Sequence, residues 1–463
     1  MKVPAAFQLL AALSPAELRQ LAIFLDSPAF NRRPEMARLL AWWLDHRHEP
    51  PDRRALFQAV LPGKPYQERD GYLLLSRFTK RVEAFMLWQE LQEHEPERYA
   101  LLLRNLRRRQ RTALFRRSIR QAWARYHKRK AHSGHALYRG YDLEQLYYDY
   151  IASHDRQART NLQAMSDRLD TFFLAEKLKQ ACLAYSRRIT NQEVYDIRLI
   201  EAVLEELEQR PELLEVPAVQ VYYACYRAVV CGGDERAFQQ LRRAMKAHRQ
   251  SFPVQEIRDL YLLAINYCIR ALNQGKEAFA QEALTLYRQS LDQNYLLEDG
   301  HIPESAFGNI VSLGVKLRQF ERTEAFIRAY ASFLRPGFRE SMPRYARAKL
   351  AYARGRRSEA LRLLATVDAR QPFLYFGTKT LQLKVFYELG EWNALDNLLE
   401  SMRVYLQRHA DLGYHREHYL LLLQFARRLL QLPPADRAGR AELKRDIRQA
   451  RAFREREWFL EQL

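Results

Sequence analysis

The sequence predicts an all-α protein, and three observations support that prediction. Apolar residues recur at intervals of three and four along most of the chain, whereas the period of two that is typical of strands is rare. Glycine and proline are scarce, at 16 and 18 of 463 residues, which disfavours glycine-rich phosphate loops and β-meanders. From residue 216 onward a short pattern returns at intervals that are typical of helix-pair repeats.

The first 92 residues form an N-terminal domain of mostly short helices, separated by proline-containing turns. We place these helices at about 15–26, 33–46, 53–60 and 68–91. Ser14 and Glu17 have the spacing of a capping box, so a helix begins at Pro15. Because of that box, we interpret the small apolar run at 5–13 as part of the folded chain rather than as a secretion signal.

Residues 93–215 form a long-helix region whose first part is strongly basic. The chain has a net charge of +20, and the stretch from Arg98 to Tyr141 contains 14 Lys or Arg and no Asp or Glu. We predict one helix from Pro96 to Lys130, ended by the Ser133-Gly134 pair. Further helices are predicted near 142–153, 157–188 and 192–209.

The basic helix 98–130 is open to two interpretations. Like charges one turn apart repel each other, so a bound polyanion would stabilise the helix, and nucleic acid is one such partner. The residues expected to contact phosphates are Arg107, Arg108, Arg111, Arg116, Arg117, Arg120, Lys128, Arg129 and Lys130. Otherwise the charges form a solvated face, or the acidic stretch at 201–215 neutralises them.

Residues 216–408 repeat themselves around five turn positions. These positions, 232, 275, 318, 355 and 390, lie 43, 43, 37 and 35 residues apart. A glycine at the turn permits a tight reversal, and a small residue five positions later lets the second helix pack closely on the first. The small residues are Ala237, Ala280 and Ala360, with Thr323 and Leu395 in weaker copies. We expect Phe320 and Trp392 to fill the corner after their turns.

The stretches Tyr352-Ala353-Arg354-Gly355 and Tyr387-Glu388-Leu389-Gly390, with the residues after them, resemble the tetratricopeptide repeat. The resemblance implies a right-handed α-solenoid of antiparallel helix pairs over 216–408, followed by capping helices at 409–463. Arg318 in the glycine position and Leu395 in the small position depart from that family's pattern. The order of motifs such as Gly308-Asn309-Ile310-Val311 also resembles an uncharacterised bacterial family of helical-repeat proteins.

Stacked helix pairs form a groove lined by their first helices, and such grooves bind partners. Nine residues before the five turns stand Tyr223, Asn266, Asn309, Ala346 and Leu381. In tetratricopeptide domains, similar Asn, Lys and Arg residues hold peptide backbone or a terminal carboxylate. The resemblance therefore implies a partner-binding set of Arg227, Asn266, Arg270, Asn309, Lys349 and Lys384. In the alternative, the two Asn residues make structural hydrogen bonds between adjacent repeats.

Catalytic signatures are largely absent from the sequence. It contains no phosphate loop, dinucleotide fingerprint, hydrolase elbow or zinc-protease motif. The pairs His132/His135 and His415/His418 have a ligand spacing, but we interpret them as surface histidines. We therefore predict a non-enzymatic scaffold or adaptor without cofactor, metal or small-molecule substrate, which binds a protein or peptide partner in the repeat groove. The alternative is a nucleic-acid-associated factor that uses the basic helix 98–130.

The expected location is the cytoplasm. The four cysteines have neither disulfide-framework nor metal-knuckle spacing, which is typical of a reducing compartment. No stretch approaches the ~18 uninterrupted apolar residues of a membrane-spanning helix, so we expect no membrane association.

Overall fold

The computed structural model describes residues 3–47, 52–128, 133–154, 157–191, 193–232, 235–369, 371–409, 415–433, 435–450 and 453–463. Across these ranges the protein is all-α, as predicted: it forms 23 α-helices and no β-strand, apart from one isolated bridge between Glu298 and His301. The chain divides into two compact units. The N-terminal unit comprises Met1–Arg129 and Asp142–Leu162, and the C-terminal unit comprises Lys130–Tyr141 and Gln163–Leu463. This division separates parts of the predicted 93–215 region.

The helices of the N-terminal unit include the four that the sequence predicts within the first 92 residues, of which the last is long. The first eight helices of the chain are α1 (Ala5–Ala12), α2 (Pro15–Asp26), α3 (Pro34–His46), α4 (Arg53–Val60), α5 (Glu68–Glu93), α6 (Glu95–Arg108), α7 (Thr112–Lys128) and α8 (Gly134–His154). The capping box at the start of α2 is confirmed, since Ser14 N–H donates to Glu17 Oε2 (2.6 Å) and Glu17 N–H donates to Ser14 Oγ (3.3 Å). Phe57, Phe78 and Phe85 are buried in the core of α1–α5.

The single basic helix predicted from Pro96 to Lys130 is wrong, because the chain reverses between α6 and α7. Gln110 adopts a left-handed backbone conformation with φ of 55°. Arg111 N–H donates to Leu106 O (2.9 Å) across this turn, which satisfies a carbonyl at the end of α6. The apolar residues of the two helices differ in phase, and that shift marks the break. The basic residues are thus divided between two helices that pack on each other.

The Ser133-Gly134 pair begins a helix instead of ending one. Ser133 Oγ accepts a hydrogen bond from Ala136 N–H (3.3 Å), so Ser133 caps the N-terminus of α8. The two helices after α8 are α9 (Leu162–Asn191) and α10 (Ile200–Gln209), and both begin later than predicted. Asn161 donates to Glu144 O (2.8 Å) just before α9, and Leu199 takes a left-handed conformation just before α10.

The rest of the C-terminal unit is a succession of helices that pack as neighbours. They are α11 (Pro217–Cys225), α12 (Glu235–Ala247), α13 (Val254–Asn273), α14 (Ala278–Asp292), α15 (Glu304–Lys316), α16 (Phe320–Tyr330), α17 (Ser341–Ala353), α18 (Arg357–Ala365), α19 (Pro372–Leu389), α20 (Trp392–Arg408), α21 (His415–Gln431), α22 (Arg437–Gln449) and α23 (Arg456–Gln462). A π-helical turn, Tyr226–Val230, extends α11. Consecutive helices from α11 to α20 pack as the pairs α11/α12, α13/α14, α15/α16, α17/α18 and α19/α20.

All five predicted turn positions lie between the two helices of a pair and have positive φ. The values are 64° at Gly232, 89° at Gly275, 54° at Arg318, 77° at Gly355 and 73° at Gly390. Glycine adopts this conformation without steric cost, whereas a residue with a Cβ is strained by it. The predicted turns are therefore confirmed, and Arg318 occupies a glycine-type position despite its side chain.

The small residues after these turns lie where the helices of each pair approach closely. Ala280, Thr323 and Ala360 are buried, whereas Ala237 is only partly buried. A Cβ added at Gly314 would lie only 2.1 Å from Thr323 Oγ1, so the absence of a side chain at 314 permits the contact between α15 and α16. Leu395, the large residue at the fifth such position, is also buried.

The two corner aromatics behave differently. Phe320 is half-buried and packs on the main core, as expected. Trp392 is 53% exposed, so the prediction that it fills its corner is wrong. Its ring meets the edge of Tyr387 (centroids 5.5 Å apart), and the space beside α19 is taken by Trp458, which also packs on Tyr387 (5.4 Å).

Two hydrophobic cores run through the C-terminal unit. The larger extends from Leu174 in α9 to Leu381 in α19. The second joins α19 and α20 to α21–α23 and includes Phe376, Leu422 and Phe459. Because the last three helices pack on α19 and α20, they bring residues far along the sequence next to the first helices of the earlier pairs.

Candidate functional site

A cavity of about 520 Å³ lies along the first helices of four successive pairs in the C-terminal unit. Its lining comes from α13, α15, α17 and α19, together with α21 and the segment between α22 and α23. Asn266, Asn309 and Leu381 belong to it, and all three stand nine residues before a turn. The count back from the turns thus identifies one wall of the cavity, because equivalent positions of stacked helices face the same side.

Four of the six residues predicted to bind a partner line this cavity, and two do not. Asn266, Asn309, Lys349 and Lys384 are brought together, one from each of the four first helices. Arg227 is exposed on the π-helical turn and lies outside the lining. The remaining residue is Arg270, which is directed into the scaffold.

Arg270 is engaged by other parts of the protein. Its guanidinium donates to Tyr185 Oη of α9 and to Val229 O of the π-helical turn, the latter at 3.1 Å. It also lies over the ring of Tyr267, 5.6 Å from the centroid. Burial lowers the pKa of Arg270 below its ordinary value. These contacts connect α13 to two other segments, so the prediction of a groove-facing Arg270 is wrong.

The two asparagines differ in their contacts. Asn309 Nδ2 donates to Tyr287 Oη (3.0 Å), a bond from α15 to α14 of the preceding pair. This is the structural hydrogen bond of the alternative interpretation, although Asn309 also lines the cavity. Asn266 is exposed at the cavity surface, and no hydrogen bond of its side chain occurs among the described residues. Asn266 therefore has its amide available for a ligand.

Lys349 is the most unusual residue of the cavity. Its Nζ donates to Ser312 Oγ (2.7 Å) and lies 5.8 Å from the centroid of the Tyr345 ring. In the described part of the chain, no carboxylate lies within ion-pair distance of this ammonium group. Burial lowers the pKa of Lys349 to about 8, since removal from water disfavours the charged form.

Lys384, in contrast, has an acidic partner. Its Nζ forms an ion pair with Glu455, just before α23, and lies 5.7 Å from the centroid of the Trp458 ring. Burial of Glu455 opposes ionisation, but attraction to Lys384 outweighs it and lowers the pKa of the carboxyl group below its ordinary value. Lys384 and Glu455 thus neutralise each other at one end of the cavity.

The cavity contains more basic than acidic groups. Lys316, Lys349, Lys384 and Arg454 line it, and Glu455 is the acidic residue of its described lining. Lys316 has carboxylates at its outer side, Glu277 at 3.0 Å and Glu457 at 3.7 Å. Glu455 attracts the Lys349 ammonium group, but its ion pair is with Lys384, and no described carboxylate lies within ion-pair distance of Lys349. Such a site favours an anionic group that also accepts hydrogen bonds.

Several lining residues were not found from the sequence, namely Ser312, Lys316, His418, Tyr419 and Arg454. The last three come from beyond the repeated segment, where no periodic position indicates them. The prediction of a surface histidine at 418 is wrong, because His418 is buried and its Nδ1 accepts from Arg454 N–H (3.3 Å). His135 is exposed, and His132 lies outside the described residues. Among the residues searched, no group of three or more metal-binding side chains was found.

The predicted nucleic-acid-binding residues lie on α6 and α7 of the N-terminal unit, except for Arg111 in the turn between these helices. Arg129 and Lys130 lie outside the described residues. Arg107 forms an ion pair with Asp149 (2.7 Å), and Arg104 pairs with Asp142 (2.9 Å). Arg108, Arg111, Arg116, Arg117, Arg120 and Lys128 are exposed. The acids that pair with Arg104 and Arg107 come from α8, and Glu95 of α6 pairs with Arg125 of α7. In the predicted acidic segment, Glu206 and Glu212 pair with Arg210 of the same segment.

Comparisons with known proteins do not assign this site. The chain matches none of the family models, curated proteins or solved structures with which it was compared. None of the helices described here combines the length and the hydropathy that crossing a bilayer requires. The resemblance to tetratricopeptide repeats therefore stays a prediction from the sequence.

Proposed function

We propose that the protein is a non-enzymatic cytoplasmic scaffold, in which residues 216–408 form a right-handed tetratricopeptide-like α-solenoid that binds an acidic peptide segment of a partner protein. The binding site is the cavity of about 520 Å³ along the first helices. The observation that carries the proposal is the convergence of Asn266, Asn309, Lys349 and Lys384, from four successive helices, on that one cavity. An extended peptide that lies along the cavity can contact all four helices at once.

The lack of a described carboxylate within ion-pair distance of Lys349 supports an anionic ligand. A buried ammonium group without a carboxylate partner destabilises the folded state. A ligand carboxylate that accepts from Lys349 Nζ would restore the favourable electrostatic environment of the ammonium group. The exposed Asn266 amide, whose NH2 group donates and whose carbonyl oxygen accepts, suits the backbone of the same peptide.

The test is the selection of peptides from a displayed random library, followed by affinity measurement with the best labelled peptide. We expect selected peptides to be rich in Asp and Glu. Lys349→Met should weaken binding about 10- to 150-fold, the equivalent of losing a hydrogen bond to a charged group worth ~1.5–3 kcal/mol. The matched control is Lys246→Met, an exposed lysine of α12 away from the cavity. Equal affinity of the Lys349→Met variant and the wild type would refute the proposal.

A second variant separates binding from scaffolding. Arg270→Ala removes the contacts to Tyr185 and Val229 and should lower the free energy of unfolding by about 1–3 kcal/mol. It should leave peptide affinity unchanged, because Arg270 lies outside the cavity lining. If Arg270→Ala weakens peptide binding and Lys349→Met does not, the peptide binds near Arg270 and not in the cavity.

A further inference from the structure

A second cleft, of about 720 Å³, lies in the N-terminal unit between α7 and α8. Thr112 of α7 hydrogen-bonds His154 of α8 (3.2 Å), and Arg116 Nε donates to Tyr150 Oη (3.1 Å), so the two helices run antiparallel. On α7, residues 116, 120 and 123 are spaced by four and three and thus share one face. Residues 147, 151 and 154 do the same on α8, and the cleft lies between these faces.

The cleft combines cationic side chains with aromatic rings. Arg116, Arg120 and Arg159 line it together with Trp123 and Tyr147. Both rings are partly exposed, and all three arginines are exposed. Within the described residues, no carboxylate lies within ion-pair distance of these three guanidinium groups. By contrast, the nearby arginines of α6, Arg104 and Arg107, pair with acids of α8. Because these acids of α8 pair with arginines of α6, they do not neutralise the arginines of the cleft, and the cleft is positively charged.

The rings of the cleft are held in fixed orientations. Tyr150 stacks on Phe115 with centroids 4.2 Å apart and planes 10° apart, and Arg116 donates to its hydroxyl. The ring of Tyr147 is nearly parallel to that of Tyr150, at 13°. Trp123 contacts Tyr126 edge to face at 5.3 Å, and His127 stacks on it with centroids 5.5 Å apart, so a base would stack on the remaining exposed part of the indole. Rings that are already ordered can stack on a ligand without a further loss of side-chain entropy.

From this arrangement we infer that the cleft binds single-stranded nucleic acid. Guanidinium groups along a groove pair with phosphates, and partly exposed rings between them stack on bases. A duplex does not present its base faces to such rings, because its bases stack on one another. An acidic peptide has anionic groups but no base faces, so it would use the arginines and not Trp123 or Tyr147. This inference is independent of the proposed peptide site, since its residues all lie in the N-terminal unit.

The experiment is fluorescence anisotropy of the full chain with a labelled oligouridine strand and with a labelled RNA duplex. We expect tighter binding of the single strand. Three arginines that each neutralise one phosphate predict a log–log salt slope of about −2, at about −0.7 per phosphate of a single strand. Trp123→Ala should weaken single-strand binding about 5- to 150-fold, the value of one stacked base. Trp123→Tyr should restore most of the affinity.

The charge test uses residues whose loss leaves the fold intact. Arg120 and Arg159 are exposed, and Arg120→Glu with Arg159→Glu should weaken binding at least about 100-fold while reducing the salt slope to about −0.7. The matched control reverses two exposed arginines of α12, Arg236 and Arg243, which changes the net charge equally. Lys349→Met should leave the affinity for single-stranded RNA unchanged. A negative result for the cleft can therefore be distinguished from a negative result for the peptide-binding cavity.

Four outcomes would overturn the inference. They are the absence of binding at low salt, equal affinity for strand and duplex, equal competition by polyglutamate, and a loss of affinity in the Arg236/Arg243 control as large as in the Arg120/Arg159 variant. Circular-dichroism melts of each variant identify any that unfolds. If Trp123→Ala unfolds, the Arg120/Arg159 pair and the polyglutamate competition still decide the result.

Discussion

Replacing Lys349 by Met removes a partly buried charge while keeping a side chain of similar length. Burial lowers the pKa of Lys349 from 10.5 to about 8, and each pKa unit corresponds to about 1.36 kcal/mol. Keeping the ammonium group charged in the folded state therefore costs about 3 kcal/mol. The variant loses the hydrogen bond to Ser312 Oγ, worth about 1 kcal/mol, but Ser312 keeps its bond to Gly308 O (2.7 Å). We expect a net stabilisation of about 2 kcal/mol at about pH 6.5.

The stabilisation should depend on pH in a defined direction. Between about pH 8 and about pH 10.5 the unfolded chain holds the Lys349 proton and the folded chain has released it. The free energy of unfolding of the wild type therefore gains a contribution that increases with pH, which the Met variant lacks. The difference in free energy of unfolding between the Met variant and the wild type should therefore decrease by about 2 kcal/mol from about pH 6.5 to about pH 9.5.

The assay is urea unfolding of both proteins, followed by far-ultraviolet circular dichroism at several pH values. Lys246→Met serves as the control, because Lys246 is exposed and its ammonium group keeps its hydration in both states. The control should match the wild type at every pH. If the difference between Lys349→Met and the wild type is constant with pH, or if the variant is less stable throughout, then the ammonium group is not held unfavourably and the reasoning fails.

Four further substitutions test the helix-pair geometry. Arg318→Gly should raise the free energy of unfolding by about 0.5–1 kcal/mol, because a φ of 54° strains any residue with a Cβ. For the same reason Gly275→Ala should lower the free energy of unfolding by about 1 kcal/mol. Thermal melts of both variants check the direction of each change. Ala360→Leu should lower the free energy of unfolding by about 1–3 kcal/mol, because it overpacks a fully buried position. A thermal melt equal to that of the wild type would contradict a close helix crossing at residue 360. Gly314→Ala should lower the free energy of unfolding by a similar ~1–3 kcal/mol, because its Cβ would clash with Thr323. Adding Thr323→Ala should restore part of that stability, which a double-mutant cycle measures.

Local features of the fold were predictable from short stretches of sequence. The capping box at Ser14 and the turns at Gly275 and Gly355 depend on the backbone preferences of a few adjacent residues. Even at Arg318, where the residue type is unfavourable, the spacing of the neighbouring repeats indicated the turn. The break at Gln110 differs from these turns because neither glycine nor proline marks it, and only the phase of the apolar residues changes there.

The sequence by itself determined the all-α class, the positions of the five turns, and the wall of the cavity that Asn266 and Asn309 share. All three follow from a local pattern that repeats along the chain. Only the tertiary structure decided that Arg270 contacts Tyr185 instead of the cavity and that Glu455 pairs with Lys384. These partners are separated by 85 and 71 positions, and no periodic signal connects them. Their contacts arise from how helices distant in sequence pack, because burial and long-range charge pairing depend on the assembled core rather than on neighbouring residues.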